Sequence, residues 1–547
     1  MMKNKLHAII WICLTCFTFQ SAWTQSNGFE TLKSLEIMDQ IYENLDLYFV
    51  DEPQNGKLSK TAIDAMLKEL DPYTVYYHES NIEDYRLLTT GQYGGIGALI
   101  RQMGDYTFIS EPYEDCPAAK SGIKAGDKIL TIDGKNMAKK TTDEVSDALK
   151  GPKGTSIEVE VERKGEGKKK ITIARDEIKI PDVPYFGMLK DEVGYVKLNS
   201  FTQTASSDVK KAIQKLQADG AKQLVLDLRG NGGGLLIEAV KIVNFFVPKN
   251  QVVVTTKGRV KEENHVYTTL EEPFALEMPL AVLVDGGSAS ASEIVSGALQ
   301  DLDRAVIIGE TSFGKGLVQR TYDLKYGSKI KITIAKYYTP SGRCVQRLEY
   351  YDKENNAKAK EIPDSLLKSF QTKNGRKVID GRGIEPDVKV ESPDLSRLTA
   401  VLITSNCVFN YATDYVLTHP TIAKAEEFSL SDTDYQDFQK YALAQEFKYT
   451  TASEESLKKM KETAEKEGYF EEIKSDYEDM ISKVTPSKER DLQKFKAEIS
   501  EMLENEIISR YYFQKGRTIA SLKNDIVVQR AVKILTNSTE LNTILKK

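Results

Sequence analysis

One serine and one lysine lie close to the ends of two predicted strands. Ser290 follows the apolar run 280–284 and a glycine turn, and it precedes the segment 294–299, whose apolar spacing fits a helix. Lys315 lies between two glycines in the loop after a second apolar run, 305–308. A serine becomes a nucleophile when a base removes its proton, and a lysine can be that base when burial lowers its pKa. The pair therefore predicts serine–lysine chemistry.

A histidine-based catalytic triad is not expected. The chain contains only four histidines, at positions 7, 78, 265 and 419, and none lies beside a conspicuous serine or cysteine motif. A nucleophilic serine in this chain therefore needs another base.

Two other interpretations of these residues stay open. Ser290 and Glu293 fit a capping box, in which the hydroxyl accepts from a helix amide and the glutamate reaches back. Residues 309–315 come within one residue of a phosphate-binding loop, but Gly316 stands where that motif needs serine or threonine. A nucleotide-binding protein that uses this loop is therefore one alternative function.

The two motifs together resemble those of the carboxy-terminal processing, or tail-specific, serine–lysine proteases, peptidase family S41. The chain reads GSASASE over 287–293 and GETSFGKG over 309–316, at the spacing expected of that family. The resemblance implies that Ser290 is the nucleophile, Lys315 the general base and Gln319 the residue that orients the lysine. It also implies a serine-type endopeptidase that needs no metal and no cofactor.

A glycine-rich turn completes the candidate site. The apolar run 223–228 predicts a buried strand, and DLRGNGGG extends over 227–234 into the next predicted helix. Such a turn opens backbone amides towards a group at the helix start. Beside Ser290 it resembles the oxyanion loop of the family, so the resemblance implies that the amides of Gly234 and Ala291 bind the oxyanion.

Residues 89–178 resemble a PDZ domain. YGGIGALI over 93–100 resembles its carboxylate-binding loop, and AGDKILTIDG over 125–134 resembles its central turn and strands. Successive glycine amides can converge on a peptide carboxylate while the peptide adds to a sheet edge, although such glycines also shape ordinary hairpins. The implied peptide-binding loop consists of Gly95, Ile96, Gly97 and Ala98. The implied partners are proteins with exposed apolar C-terminal tails.

The first 24 residues predict a cleaved signal peptide. Lys3 and Lys5 precede an apolar run, 8–19, that is shorter than a bilayer span requires. We therefore expect an exported protein, either periplasmic or associated with the bacterial cell envelope. Cys16 offers a lipidation site, but Thr15 before it matches a lipoprotein signal poorly.

The length of 547 residues predicts several domains, of multidomain α/β and α+β class. The resemblance covers about residues 30–392 and implies a protease core of the crotonase or ClpP-like type. The predicted segments after the signal peptide are an N-terminal helical segment (29–88), the PDZ domain, the protease core (183–392) with an exposed insertion (349–377), and a helical C-terminal region of unknown role (395–547).

Composition limits the partners. The net charge is −6 and the lysines are mixed with acidic residues, so a nucleic-acid partner is not expected. The three cysteines beyond the leader have no metal-ligand spacing and could form one disulfide. An adaptor protein and self-association through the helical regions are further candidates. A PDZ scaffold that binds tails without cutting them is the second alternative function.

Overall fold

The computed structural model describes residues 28–79, 82–350, 359–391 and 393–546. The described chain divides into two compact units: residues up to 79 together with 321–332, and the remainder. None of the helices in the described ranges is long and apolar enough to cross a membrane. The predicted signal peptide lies outside these ranges.

The first unit is a helical segment with a short strand pair. Residues 28–48 are helical, and the helix Asn55–Lys68 follows. The Asp71 carboxylate then accepts from the amides of the two residues after Pro72, both at 2.8 Å, which fixes a turn. After this turn the strand Val75–Tyr77 pairs antiparallel with residues 329–331.

The second unit begins with the helix Ile82–Thr90 and a PDZ-type sheet. Alternate residues of its strand Ser156–Arg163 are buried, which is the period-two pattern of a sheet with one face on a core. Five antiparallel strands lie in the order Ala98–Met103, Tyr106–Pro112, Lys128–Ile132, Ser156–Arg163 and Gly167–Ala174. The smaller elements are the strands Gln92–Gly95, Lys135–Asn136 and Asp176–Lys179 and the helices Pro117–Lys120 and Thr142–Leu149.

A six-stranded sheet forms the centre of the region predicted as a protease core, and its strands are parallel except for the first. Because helices cover both faces, the central strands are apolar throughout rather than alternating. The strand order is Tyr185–Met188, Val193–Lys197, Gln223–Asp227, Leu280–Val284, Val306–Gly309 and Val388–Lys389. One face packs against the helices Ala205–Ala218, Leu236–Asn244 and Ala291–Asp301.

The opposite face of this sheet is covered by the end of the chain. The helices Ile526–Thr536 and Ser538–Leu545 bury their apolar side chains against Val225, Leu283 and Ile308 of the sheet. The predicted C-terminal helical region is therefore confirmed as helical, but its last two helices form a layer on the six-stranded sheet. The predicted domain boundary at residue 395 therefore separates these last two helices from the sheet that they cover.

Five of the remaining C-terminal helices pack around a second apolar core. They are Arg397–Thr404, Cys407–Thr418, Asp432–Leu443, Lys488–Lys494 and Lys496–Leu522. The helices Ala452–Glu467 and Phe470–Val484 pack against each other. The other strands are Val252–Gly258, Val266–Thr268, Leu317–Asp323, Lys329–Tyr338, Leu348–Glu349, Lys360–Glu361, Ser369–Gln371 and Lys377–Ile379, and the short 3-10 turns are Lys261–Glu263, Lys325–Gly327 and Asp364–Leu366. The described cysteines, Cys116, Cys344 and Cys407, are free, so the disulfide considered for them does not form.

The insertion predicted to be exposed over 349–377 is exposed over most of its described part, but two of its side chains are buried. Residues 351–358 lie outside the described residues, but Thr372 and Arg376 further along are buried. Arg376 Nε donates to Asp303 Oδ1 at 2.6 Å, and its Nη1 pairs with Asp387. Ion pairing lets a charged side chain be buried, so the polar composition of the segment did not indicate the burial of Arg376.

Replacing Arg376 by alanine is expected to lower the free energy of unfolding by about 3–5 kcal/mol, because two buried carboxylates lose their cation. Urea unfolding at neutral pH measures this loss of unfolding free energy. The matched control is Arg382→Ala, since Arg382 pairs with an Asp364 side chain that is 91% exposed. An exposed pair contributes about 1 kcal/mol or less. Equal losses of unfolding free energy in the two variants would contradict a larger contribution from the buried ion pairs of Arg376.

Candidate active site

Ser290 immediately precedes the helix Ala291–Asp301 in an unusual backbone conformation. Its φ is 54° and its ψ is −108°, a region that residues other than glycine seldom occupy. Hydrogen bonds hold it there: its carbonyl oxygen accepts from the Ile294 amide at 2.9 Å and from the Tyr337 hydroxyl at 3.2 Å. Strain retained by surrounding contacts is common at functional sites, so the conformation supports a functional role for this serine.

A buried carboxylate joins the serine turn to the lysine loop. Glu293 Oε2 accepts from the backbone amides of Ser290, at 2.8 Å, and Lys315, at 2.9 Å. Glu293 Oε1 accepts from the Ser312 hydroxyl at 2.6 Å and the Gly314 amide at 2.7 Å. The two predicted dyad residues thus have their backbones bound to one oxygen atom. The structure brings Ser290 and Lys315 together through Glu293.

Burial and hydrogen bonding shift the pKa of the Glu293 carboxyl in opposite directions. Burial raises the pKa of its carboxyl, while hydrogen bonds from Ser312, Lys315, Ser290 and Gly314 lower it, and the net shift is upward. Sequence reasoning gave this residue only the reach back to the Ser290 amide within a capping box, and that hydrogen bond is present. Its contacts with the lysine loop were missed. The sequence signal for it was that capping position alone.

The glycines beside Lys315 allow the loop to pack tightly. Gly314 has a φ of 88°, and a Cβ there would stand 2.6 Å from Arg347 Cβ. A Cβ on Gly316 would stand 2.8 Å from the Gln346 amide nitrogen. The Lys315 side chain is half-buried in this loop. Larger residues at positions 314 and 316 would push the loop away from the segment 345–347 beside it.

Gln319 lies in the strand that follows the lysine loop, Leu317–Asp323. Its Nε2 donates to Thr333 Oγ1 at 3.2 Å. This contact fixes the amide group of a half-buried side chain within the same region as Lys315. That Gln319 orients the lysine stays a prediction.

The glycine-rich turn 229–234 lies directly against the serine turn. The Asn231 carbonyl oxygen accepts from the Ala289 amide at 3.0 Å. A Cβ on Gly233 would stand 2.9 Å from the Ala291 amide nitrogen, so only glycine fits at this position. The structure therefore brings the predicted oxyanion loop to the predicted nucleophile.

Two backbone amides of this region are suited to an oxyanion. Phe201 N donates to Gly233 O at 3.1 Å, and Leu235 N donates to Phe201 O at 2.7 Å. Because alternate amides of an extended segment point to opposite sides, the Gly234 amide faces away from Phe201. The Ala291 amide is the first of its helix and has no acceptor one turn back. Their role as oxyanion donors stays a prediction.

The predicted peptide-binding loop connects the strand Gln92–Gly95, which pairs with Asp176–Lys179 in a separate two-stranded sheet, to the first strand of the PDZ-type sheet. Residues 95–98 lead into the strand Ala98–Met103, which lies at the edge of the sheet beside the helix Thr142–Leu149. The Ile96 carbonyl oxygen accepts from Ala118 N at 2.8 Å and the Gly97 carbonyl oxygen from Tyr113 N at 2.9 Å. These carbonyls are thus bonded within the domain, and the outer edge of the strand can accept a further strand.

Comparison with known proteins decides the family. The Peptidase family S41 model matches residues 192–350, the PDZ domain model residues 108–163, and the model of the C-terminal helical domain of probable PDZ-proteases residues 398–535. The chain is 40% identical over 328 residues, 59% of its length, to a carboxy-terminal-processing protease of Bartonella bacilliformis, of which the match covers 75%. The chain belongs to peptidase family S41.

Two further proteins are similar to this S41 protease. A probable CtpA-like serine protease of Staphylococcus haemolyticus is 33% identical over 370 residues, which cover 68% of this chain and 67% of the relative. The solved photosystem II D1 C-terminal processing protease is 28% identical, with 64% of this chain and 86% of that chain covered and a TM-score of 0.36. The sequence relatives and the two family models together show a C-terminal processing serine protease with a PDZ domain.

The lysine loop of this S41 protease does not have the build of a phosphate-binding loop. A phosphate cradle needs free amides and a following helix, whereas a strand, Leu317–Asp323, follows here. The five consecutive amides of residues 312–316 all donate to protein acceptors: Ile384 O, Ser288 O, both Glu293 carboxylate oxygens and Gln346 Oε1. The nucleotide-binding alternative is therefore not supported.

Proposed function

We propose that this protease captures the C-terminal tails of proteins with its PDZ domain and cleaves them as an endopeptidase with a Ser290–Lys315 dyad. The observation that carries the proposal is the shared hydrogen-bond acceptor, Glu293 Oε2, which receives the amides of both residues. A nucleophile and its base must keep a fixed separation, and a buried carboxylate between their backbones maintains it.

The chemistry proceeds in two steps. Neutral Lys315 Nζ takes the proton of the Ser290 hydroxyl, and Ser290 Oγ bonds to the carbonyl carbon of the scissile peptide. The amides of Gly234 and Ala291 stabilise the oxyanion, and Lys315 gives the proton to the leaving amine. A water molecule then attacks the acyl-enzyme while Lys315 takes its proton. Collapse of the second oxyanion returns the proton to Ser290 and releases the new carboxylate.

Gln319 supports this dyad as an orienting residue. Its amide nitrogen donates to Thr333 Oγ1, so its amide oxygen stays able to accept from a cation. Lys315, four residues earlier in the chain, becomes such a cation when its amine takes up a proton during the reaction. The hydrogen bond to Thr333 keeps the side-chain amide of Gln319 from rotating.

Tail capture is assigned to the edge strand Ala98–Met103. A tail that adds to this edge places its side chains over Ala98, Ile100 and Ala148, which pack on the apolar core of the domain. Apolar tails therefore match the surface, and the loop of residues 95–98 is left to hold the terminal carboxylate. A disordered tail also enters the active site without prior unfolding.

The test is digestion, without nucleotide, of a soluble protein that carries a flexible apolar C-terminal tail. A tail with a free carboxylate is expected to be cut with a kcat/KM about 10- to 100-fold higher than the same tail ending in an amide, because charge-assisted hydrogen bonds are lost. Equal kcat/KM values would contradict recognition of the carboxylate. Binding of tails without any cleavage would instead favour the PDZ scaffold.

Export is part of the proposal, on the strength of the N-terminal sequence alone. The predicted leader would direct the protease to the periplasm or cell envelope, where apolar tails of envelope proteins are accessible. Sequencing the N-terminus of the protein recovered from the envelope fraction tests this. A chain that begins at Met1 in the cytoplasm would contradict it. An adaptor and self-association through the helical regions stay predictions.

A further inference from the structure

The arginine at the start of the oxyanion turn lies between two carboxylates. Arg229 Nη2 donates to Asp227 Oδ2 at 2.6 Å, and its Nε donates to Asp227 Oδ1 at 3.0 Å. The other side of the guanidinium meets Asp525, with Nη2 to Oδ2 at 2.7 Å and Nη1 to Oδ1 at 3.2 Å. Asp525 is 296 residues away along the chain and belongs to the C-terminal helical region. One planar guanidinium thus joins the catalytic sheet to that region.

Asp525 is fixed by its own helix. Its Oδ1 accepts from the amides of Val527 and Val528, both at 3.0 Å, which makes it the N-cap of the helix Ile526–Thr536. That helix covers one face of the catalytic sheet. The side chains of Arg229 and Asp525 are only 19% and 15% exposed. A mostly buried, doubly bonded pair keeps one geometry, unlike an exposed pair between flexible side chains.

Hydrogen bonds fix the turn after Arg229 and connect it to the serine turn. Lys197 Nζ donates to the Arg229 carbonyl oxygen at 2.6 Å, and the Gly230 amide donates to Asp285 Oδ1 at 2.8 Å. Asn231 then accepts from Ala289 N and, at 2.8 Å, from the Ser292 hydroxyl. A shift at Arg229 is therefore transmitted along hydrogen bonds to the oxyanion turn and the serine turn.

The charges of the cluster explain why Asp525 is needed. Burial opposes ionisation of Asp227, but Lys197 and Arg229 hold the pKa of its carboxyl well below the ordinary range. Asp227 is therefore a fixed anion, whose Oδ2 also accepts from the Tyr195 hydroxyl at 2.7 Å. Two cations face this one carboxylate, and Asp525 is the second anion. Without it the guanidinium keeps only half of its acceptors.

We propose that Asp525 is a positioning residue for peptide cleavage, through which the C-terminal helical region holds Arg229 and thereby the oxyanion turn 229–234. The inference rests on the proposed function of the Ser290 site. It gives the region of unknown role a part in the reaction itself, in addition to covering the sheet.

The test uses the full-length protein and the variant Asp525→Asn. Asparagine is as good an N-cap as aspartate, so the helix keeps its cap while the charge opposite Arg229 is removed. We expect kcat for a tail-bearing peptide to fall about 10-fold, with KM unchanged. Asp525→Glu, which keeps the carboxylate, should restore most of kcat. If the asparagine variant does not fold, Asp525→Ser provides a second cap without charge.

An oxyanion readout separates positioning from general destabilisation. A peptide aldehyde adds the Ser290 hydroxyl across its carbonyl and puts the resulting oxygen where the oxyanion forms, whereas the matching alcohol cannot. The ratio of aldehyde to alcohol affinity should fall about 10-fold in Asp525→Asn. The control is Asn537→Ala, which removes the cap of the neighbouring helix Ser538–Leu545 without contacting Arg229. That variant should lose stability but keep kcat and the affinity ratio.

The outcomes distinguish this inference from the proposed function. Wild-type kcat and an unchanged affinity ratio in Asp525→Asn, with turnover that still depends on Ser290, overturn the positioning role alone. Equal losses of kcat in Asp525→Asn and Asn537→Ala overturn it as well, because helix stability would then explain both. Turnover that survives in Ser290→Ala overturns the proposed function itself.

Discussion

A Lys315→Arg variant is expected to fold normally and to lose peptide cleavage to the same extent as Ser290→Ala, by about four to six orders of magnitude in kcat. A guanidinium stays protonated at any pH the protein tolerates, so arginine keeps the positive charge but cannot accept the proton of the Ser290 hydroxyl. The Lys315 amide still bonds to Glu293 in the variant, so the loop keeps its fold. Initial rates on a tail-bearing peptide measure the loss.

Non-additivity is the sharper sign that the two residues act as one unit. The double variant should be no slower than either single variant, since removing one member already disables the step. Lys336→Arg, at an exposed lysine of the nearby strand Lys329–Tyr338, should keep wild-type rates. Peptide cleavage by Lys315→Arg at a measurable, pH-dependent rate would show that another group is the base.

The parts of this site that the sequence predicts are those encoded by short segments. The apolar runs 223–228 and 280–284 predict their strands within one residue, because a strand covered on both faces is apolar throughout. The turns after them are marked by glycines that no other residue can replace, as at Gly233. Local sequence therefore locates Ser290, Lys315 and the glycine-rich turn along the chain.

What the sequence does not predict are contacts between segments far apart. The apolar face of Ile526–Thr536 predicts a buried helix, but nothing in its own sequence indicates that its partner is the catalytic sheet. Arg376 belongs to a polar segment, and its burial depends on Asp303 and Asp387, which complete the ion pairs only after folding. In both cases the partner, rather than the residue type, determines the outcome.

Glu293→Gln is expected to lower kcat by about 10- to 100-fold and to leave KM and tail affinity unchanged. Glutamine has the shape of glutamate but only one acceptor oxygen, whereas four donors converge on the carboxylate. With that oxygen facing Ser290 and Lys315, the new NH₂ group meets the Gly314 amide, donor against donor. The loss of charge-assisted hydrogen bonds, about 1.5–3 kcal/mol each, loosens the spacing of the dyad.

Stability should respond differently from kcat in this variant, and that difference identifies Glu293 as a positioning residue. Because burial raises the pKa of Glu293, its contribution to stability is full at acidic pH and declines as pH rises through the folded-state pKa. The stability gap between wild type and Glu293→Gln should therefore narrow as pH rises, while the kcat gap persists at neutral pH. Asp301→Asn, at the other end of the same helix and bound to Arg343 at 2.9 Å, provides the control. It should lower stability with kcat retained, and an equal loss of kcat in the two variants would show that Glu293 acts only by holding the helix.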